Sequence, residues 1–232
     1  MKISKDVYKL SGWEYGTNSN VYGIKSGKEL ILIDAGFSEI QYQVIEKNRN
    51  YDPEIKDLKI TDVFLTHAHG DHAGLAFLYQ QQGAVIHIGE GDADALEEAS
   101  SVMLGDLFGK KFHGCKADDI ISKKERYKIS DNVSIQAIPA PGHTEGTMIY
   151  LAEVGESRIV FLGDILVINS VTPTEEILLE VGWKGSPDYN DEKNCETLKM
   201  LQEIKCDIVA LGHTSVYFGS LDELLKNAQI KE

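Results

Sequence analysis

Three histidines and an aspartate stand within six residues, in the stretch Thr66-His67-Ala68-His69-Gly70-Asp71-His72. Directly before it runs Val63-Phe64-Leu65, an apolar run with the character of a buried strand. In extended chain, residues two apart project to the same side, so His67 and His69 point together off a strand end. Gly70 permits a sharp turn. Asp71 and His72 then fall at a helix start, displaced from the first pair. Six residues thus offer two separate groups of ligands. Side chains this polar are costly to gather at one spot without a cation. Neutral imidazole and carboxylate together suit zinc, iron or manganese.

A metal pair needs further ligands, and the rest of the chain supplies them. His143 lies in Pro141-Gly142-His143-Thr144-Glu145-Gly146-Thr147, just after a strand ending near Pro139. Asp164 follows Leu162-Gly163, and His213 follows Leu211-Gly212, each at the end of an apolar strand. A glycine precedes each of the three. Strand ends are where a rigid scaffold places functional groups. The two remaining histidines read as structural or surface residues: His87 sits inside an apolar strand and His113 in a lysine-rich stretch.

Charge and composition narrow the partners. The 232 residues carry 23 Lys and Arg against 37 Asp and Glu, a formal net charge of −14. Gripping phosphates needs local excess of Lys and Arg, so the balance disfavours nucleic acid and anionic membranes. No run approaches the ~18 apolar residues of a membrane span, and MKISKDVYKL has no apolar core of a signal peptide. Cys115, Cys195 and Cys206 form an odd, scattered set without CxxC, which fits a reducing compartment. The expectation is a cytoplasmic protein folded as one domain over residues 1–232.

Short β-like runs recur at 20–24, 30–34, 63–66, 84–88, 133–139, 147–151, 158–162 and 207–211. Helix-like stretches cover 38–48, 71–82, 92–104, 191–204 and 221–228. Ser38 with Gln41 reads as a capping box, and Gly83 as a helix stop. Strands come in groups rather than in strict alternation with helices, which suggests two sheets with helices outside them. Residues 90–106 hold six acids and no Lys or Arg, whereas 110–128 hold seven bases. Both runs read as solvated faces, with a charged lid as the functional alternative. Met103, Leu104, Leu107 and Phe108 have the helical spacing of core residues. Trp183, between glycines, and Tyr217 read first as packing, and a place by the substrate is the second reading for each.

Taken in order, these elements resemble the metallo-β-lactamase superfamily. His-x-His-x-Asp-His is His67 to His72, PGHT is Pro141 to Thr144, Gly-Asp is Gly163-Asp164, and the final Gly-His is Gly212-His213. Leu32-Ile33-Asp34-Ala35-Gly36 extends the likeness upstream. The resemblance implies an α/β (α+β) fold, the four-layer αββα metallo-β-lactamase sandwich, with metals at one edge between the sheets. It implies that His67, His69 and His143 bind one metal, that Asp71, His72 and His213 bind the other, and that Asp164 bridges. Asp34 resembles a residue that orients ligands. The implied cofactors are two divalent metal ions, zinc first, with iron or manganese as alternatives. Two such ions share a water and lower its pKa, so a bridging hydroxide is the implied nucleophile. Asp71 would orient it or carry a proton.

Within that family the residues point to ester-type bonds. The presence of Asp164 argues against a true β-lactamase, and His69 stands where the diiron flavoprotein branch carries Glu. Gly163-Asp164-Ile165-Leu166 resembles the hydroxyacylglutathione hydrolases, yet only 19 residues follow His213, too few for their glutathione-holding helical domain. The Tyr that many acyl-homoserine lactonases carry after the bridging Asp is absent. Thiolester or lactone hydrolysis of a small-molecule substrate is therefore expected. A phosphodiesterase or nuclease, kept open by the basic run, and an iron-dependent sulfur oxidoreductase of the persulfide dioxygenase type are the alternatives. A homodimer stays open. Segments 89–128 and 165–194 are expected to arch over the metal edge.

Overall fold

The computed structural model describes residues 1–12, 18–171 and 177–231. Seven strands build the first sheet: β1 (Lys2–Ser4), β2 (Val7–Ser11), β3 (Val21–Ser26), β4 (Glu29–Ile33), β5 (Lys59–Phe64), β6 (Val85–Gly89) and β7 (Asp119–Ile121), neighbours in that order. The first four form an antiparallel meander, and β5 to β7 extend it in parallel. A second sheet follows a similar plan. In it β8 (Glu125–Lys128), β9 (Val133–Pro139), β10 (Met148–Val154) and β11 (Ser157–Phe161) make the meander. There β14 (Ile208–Ala210) joins β11 in parallel and β15 (Val216–Tyr217) pairs antiparallel with β14. A third, smaller sheet holds β12 (Leu166–Val171), β13 (Ile177–Val181) and β16 (Ala228–Lys231).

Parallel neighbours require crossovers. From β4 to β5 the chain passes through α1 (Glu39–Tyr51), and from β5 to β6 through α2 (Gly70–Ala73) and α3 (Ala76–Gln81). Between β6 and β7 lie α4 (Glu90–Glu98) and α5 (Gly105–Phe108); α6 (Asp191–Met200) precedes β14, and α7 (Leu221–Asn227) precedes β16.

Both faces of the two larger sheets are covered, which is why their central strands carry near-continuous apolar runs. Ile31 and Ile33 of β4 join Tyr150, Ile159 and Phe161 in the core between the sheets. Their alternates, Leu30 and Leu32, face the other way, against Ile45 of α1 and Tyr79 of α3. On the second sheet Ile149, Leu151 and Val160 turn outward to Leu201, Leu221 and Leu224. The order is helix, sheet, sheet, helix, as the resemblance implied. Among the described residues no helix is long and apolar enough to cross a membrane.

Several sequence expectations are corrected. The helix expected over 71–82 is two helices, because the Leu75 amide donates to Gly36 O instead of continuing the helical ladder. The helix expected over 92–104 stops at Ala99, whose φ is +49°. Strands β12 and β13 fill much of segment 165–194, and β7 and β8 belong to the two main sheets rather than to a lid. Residues 172–176 of the former segment lie outside the described residues. The capping box at Ser38 is half formed: Ser38 Oγ accepts from the Gln41 amide, but Gln41 Oε1 accepts from the Phe37 amide. Gly83 does end a helix, with φ +87°. Of the apolar quartet, Met103 is core, but Leu107 faces solvent. Tyr217 packs against the outer core of the second sheet. His87 is structural: it lies flat on Phe64 and bridges Asp62 and Asp119 at 3.0 and 2.8 Å.

Candidate metal centre

The parallel strands β4, β5, β11 and β14 end at one edge, and each delivers a polar residue there. Asp34 follows β4, the histidine stretch follows β5, Asp164 follows β11 and His213 follows β14. The turn between β9 and β10 adds His143. Close packing of these ends explains the glycines. Gly163 has φ +52°, and a Cβ there would lie 2.7 Å from Thr66 Oγ1. A Cβ at Gly212 would lie 2.3 Å from Asp164 Oδ1.

All seven residues singled out in the sequence meet here. His67, His69, His143 and Asp164 place one ligand atom each within 4.8 Å of the others, and so do Asp71, His72, Asp164 and His213. Asp164 belongs to both groups. Its Oδ1 is 3.2 Å from His72 Nε2, and its Oδ2 lies 3.3 Å from His213 Nε2 and 3.8 Å from His143 Nε2. His213 Nε2 is also 3.0 Å from Asp71 Oδ2. Six of the seven are buried and His213 is partly so.

Two features fit a pair of cations. The Nε2 of His67 is buried without any hydrogen-bond partner, while its Nδ1 is 3.0 Å from Thr66 Oγ1. Ring nitrogens also face one another: His69 Nδ1 and His143 Nε2 at 3.1 Å, His72 Nε2 and His213 Nε2 at 3.4 Å. Lone pairs that converge in this way, beside a shared carboxylate, match the donor set of a divalent transition metal.

The two groups differ in protonation. Burial, and then the like charge of neighbouring rings, pushes His67 far below the usual imidazole range. Burial brings His69 down to about 3, with His143 adding to it. Burial also lowers His143, against the pull of Asp164. In the second group burial is outweighed. The carboxylates of Asp164, Asp71 and Asp34 hold His72 well above its ordinary value, and Asp164 leads in raising His213 to about 10. Burial likewise opposes ionisation of the acids. Even so, His72 and His213 keep Asp71 below the usual carboxylate range, and His213 and His72 keep Asp164 well below it.

Buried acids brace both groups. Asp34, with φ +63°, accepts at Oδ2 from His72 Nδ1 at 2.8 Å and at Oδ1 from the Thr66 amide at 2.7 Å. It thus fixes the ring so that Nε2 faces the site. The sequence did not single out Asp92. This first-turn residue of α4 is fully buried, so the acidic run 90–106 is not uniformly a solvated face. Its carboxylate accepts from the Ala68 amide at 2.7 Å, Thr144 Oγ1 at 2.8 Å and the Gly146 amide at 2.8 Å. It therefore ties the peptide between His67 and His69 to the turn that carries His143. Burial pushes the Asp92 carboxyl up to about 6 in spite of these donors. Ser186 is the other missed residue, with Oγ 3.0 Å from His69 Nε2. Trp183 is half exposed and stands edge-on to the His69 ring, so packing does not describe it.

The profile of the metallo-beta-lactamase superfamily matches residues 15–213. Thioesterase pkgB of Emericella nidulans is 24% identical over 215 residues, covering 91% of this chain and 51% of that protein. Atrochrysone carboxyl ACP thioesterase of Passalora fulva is 24% identical over 205 residues, covering 81% of this chain and 53% of that protein. The chain thus spans about half the length of these curated relatives. Among solved structures, a variant metallo-beta-lactamase from Cronobacter sakazakii superposes with a TM-score of 0.71 at 18% identity, over 92% of this chain and 79% of that one. That likeness concerns the fold.

Proposed function

The chain belongs to the metallo-beta-lactamase superfamily, and from that premise we propose that it is a binuclear metal-dependent hydrolase of ester-type bonds, thiolesters first. The observation that carries this reading is the pair of interlocked donor groups sharing Asp164. Relatives named as thioesterases support the choice of bond.

In this reading His67, His69 and His143 hold one divalent cation, Asp71, His72 and His213 hold the other, and Asp164 serves both. Such ions supply Lewis acidity and make bound water a usable nucleophile near neutral pH. The protein's own groups set the geometry. Asp34 fixes the His72 ring, Thr66 Oγ1 meets His67 Nδ1, and Asp92 holds the two loops in register. Asp71 Oδ2 orients the attacking water and receives its proton. Water oxygen bonds to the acyl carbon as the carbon–sulfur bond breaks, the proton held by Asp71 passes to the departing thiolate, and the acid product releases the remaining proton to solvent.

The test is a parallel screen of thiolesters, lactones and phosphodiesters, with metal analysis beside it. Two zinc ions per chain and turnover of a thiolester or lactone are expected. Full turnover after chelation would overturn the reading. So would one iron per chain with oxygen consumption, or cleavage of phosphodiesters alone.

A further inference from the structure

A cavity of about 980 Å³ is lined by none of the seven donors, but each of its two walls carries an aromatic ring that lies against the histidine stretch, Trp183 on His69 and Phe112 on Gly70. Trp183, Gly185 and Pro187 form one wall. The indole of Trp183 has its centroid 6.2 Å from that of the His69 ring. Ser186, inside the same wall segment, meets His69 Nε2. Leu104, Leu107 and Phe112 form the other wall. Phe112 lies against Gly70, the residue after His69: a Cβ there would meet Phe112 Cζ at 2.1 Å.

The walls carry a packed aromatic cluster among polar residues. Phe112 belongs to a cluster with Phe37 and Phe108, ring centroids 5.1 to 6.2 Å apart. Lys110 sits over Phe37 and Phe112 and donates to Phe37 O, so this cation is engaged in holding the wall. A Cβ at Gly185 would come within 2.0 Å of the Trp183 ring, so only glycine lets the indole lie there. Two large apolar side chains nonetheless face solvent in this hollow, Leu107 at 63% exposure and Trp183 at 48%. Apolar surface left open in a concave site next to reactive groups is where an apolar ligand gains most. The charges around the cavity are mixed, Lys110 and Lys111 against Glu98 and Asp106, so no field of one sign selects an ion.

Resting on the hydrolase reading, we infer that this cavity receives the acyl group of the substrate and selects a bulky acyl group that carries a flat, apolar ring system over a short one. An acetyl group would leave Trp183 and Leu107 wet. A ring system stacked between the walls covers both and matches the geometry aromatic pairs prefer.

The experiment compares 2-naphthylacetyl and acetyl thiolesters of one thiol on the zinc-loaded protein, together with calorimetric binding of 2-naphthylacetate. The naphthylacetyl ester should be preferred at least about tenfold in kcat/KM. That preference and the affinity for the free acid should both collapse in Trp183→Ala and in Leu107→Ser, variants first checked for metal content and circular dichroism. Leu107 is exposed, so the second variant keeps the test alive should the first not fold. Equal kcat/KM for the two esters would overturn the acyl site while leaving the hydrolase. A preference that persists in both variants would overturn it as well. Binding of the acid that depends on Leu107 and Trp183, without turnover of any ester, would support the acyl site and sink the hydrolase. Neither turnover nor binding would remove both.

Discussion

Three imidazoles and one carboxylate meet in the group of His67, His69, His143 and Asp164, whereas Asp71, His72, Asp164 and His213 pair two imidazoles with two carboxylates. In the second group the histidines and acids each shift the other toward its charged form, against burial. In the first the three histidines are shifted toward the neutral form instead, and two of their ring nitrogens, His67 Nε2 and His143 Nδ1, are buried without a hydrogen-bond partner. An unpaired buried polar atom costs about 1–3 kcal/mol. The first group therefore depends more on a cation for its internal balance. Their supports differ too. Asp34 touches a ligand ring directly, whereas Asp92 holds only the backbone and a threonine that flank its ligands.

The largest effect is expected where the groups meet. Asp164→Ala should remove both metals and lower turnover by at least about a thousandfold, since each ion is worth several kcal/mol of transition-state stabilisation. Retention of one full equivalent of metal would show that the groups are independent.

Next comes the pH effect of Asp92. The folded-state carboxyl titrates near pH 6, against 3.8 for the unfolded chain. Below both values the group is protonated in either state and makes no difference. Above both, the folded protein carries an ionised buried acid that the unfolded chain ionises freely. Stability should therefore fall as pH rises from about 4 to 6, by about 3 kcal/mol from this group alone. Denaturant titrations at pH 4 and 7 should show it as a difference: from the lower to the higher pH, Asp92→Asn should gain about 3 kcal/mol relative to the parent, the slopes of the depressed histidines being common to both.

Asp34→Ala should weaken metal binding by about 10- to 100-fold, with the loss confined to the Asp71, His72 and His213 side. Competition with a chelator, read as one weakened site of two, checks this; an equal loss at both sites would break the distinction drawn above. The smallest effect belongs to the basic run. Arg126 pairs with Glu153 on exposed strand surface. Arg126→Ala should cost under about 1 kcal/mol in unfolding free energy and leave metal content unchanged.

How much of this could be read in advance follows from what a local pattern reports. The donor groups were legible because the first four donors stand within six residues, and because His143, Asp164 and His213 each follow an apolar strand and a glycine. Strands with both faces buried announced themselves as apolar runs. Asp92 did not, because it stands in an acidic run whose other members face water or its edge. Only the approach of residues 68 and 144–146, set by tertiary packing, makes that one position internal. Ser186 carries no local signal at all, since its partner is 117 residues away. Leu107 matched a helical period that the chain does not follow, because Leu104 turns left-handed at φ +59°. Trp183 was read first as packing, because a tryptophan between glycines does not by itself show which way its ring turns.

The donors come from both sheets: His67 to His72 from the end of the first, His143, Asp164 and His213 from the second. The three cysteines are all free, so no disulfide joins these halves. Ions held at the edge would take that part, as a crosslink governed by mass action. At a free concentration of one hundred times its Kd, each ion adds about 2.7 kcal/mol to the folded state. Unlike a covalent bridge, this staple loosens and tightens with supply. The thermal midpoint of the chain then becomes a gauge of free metal.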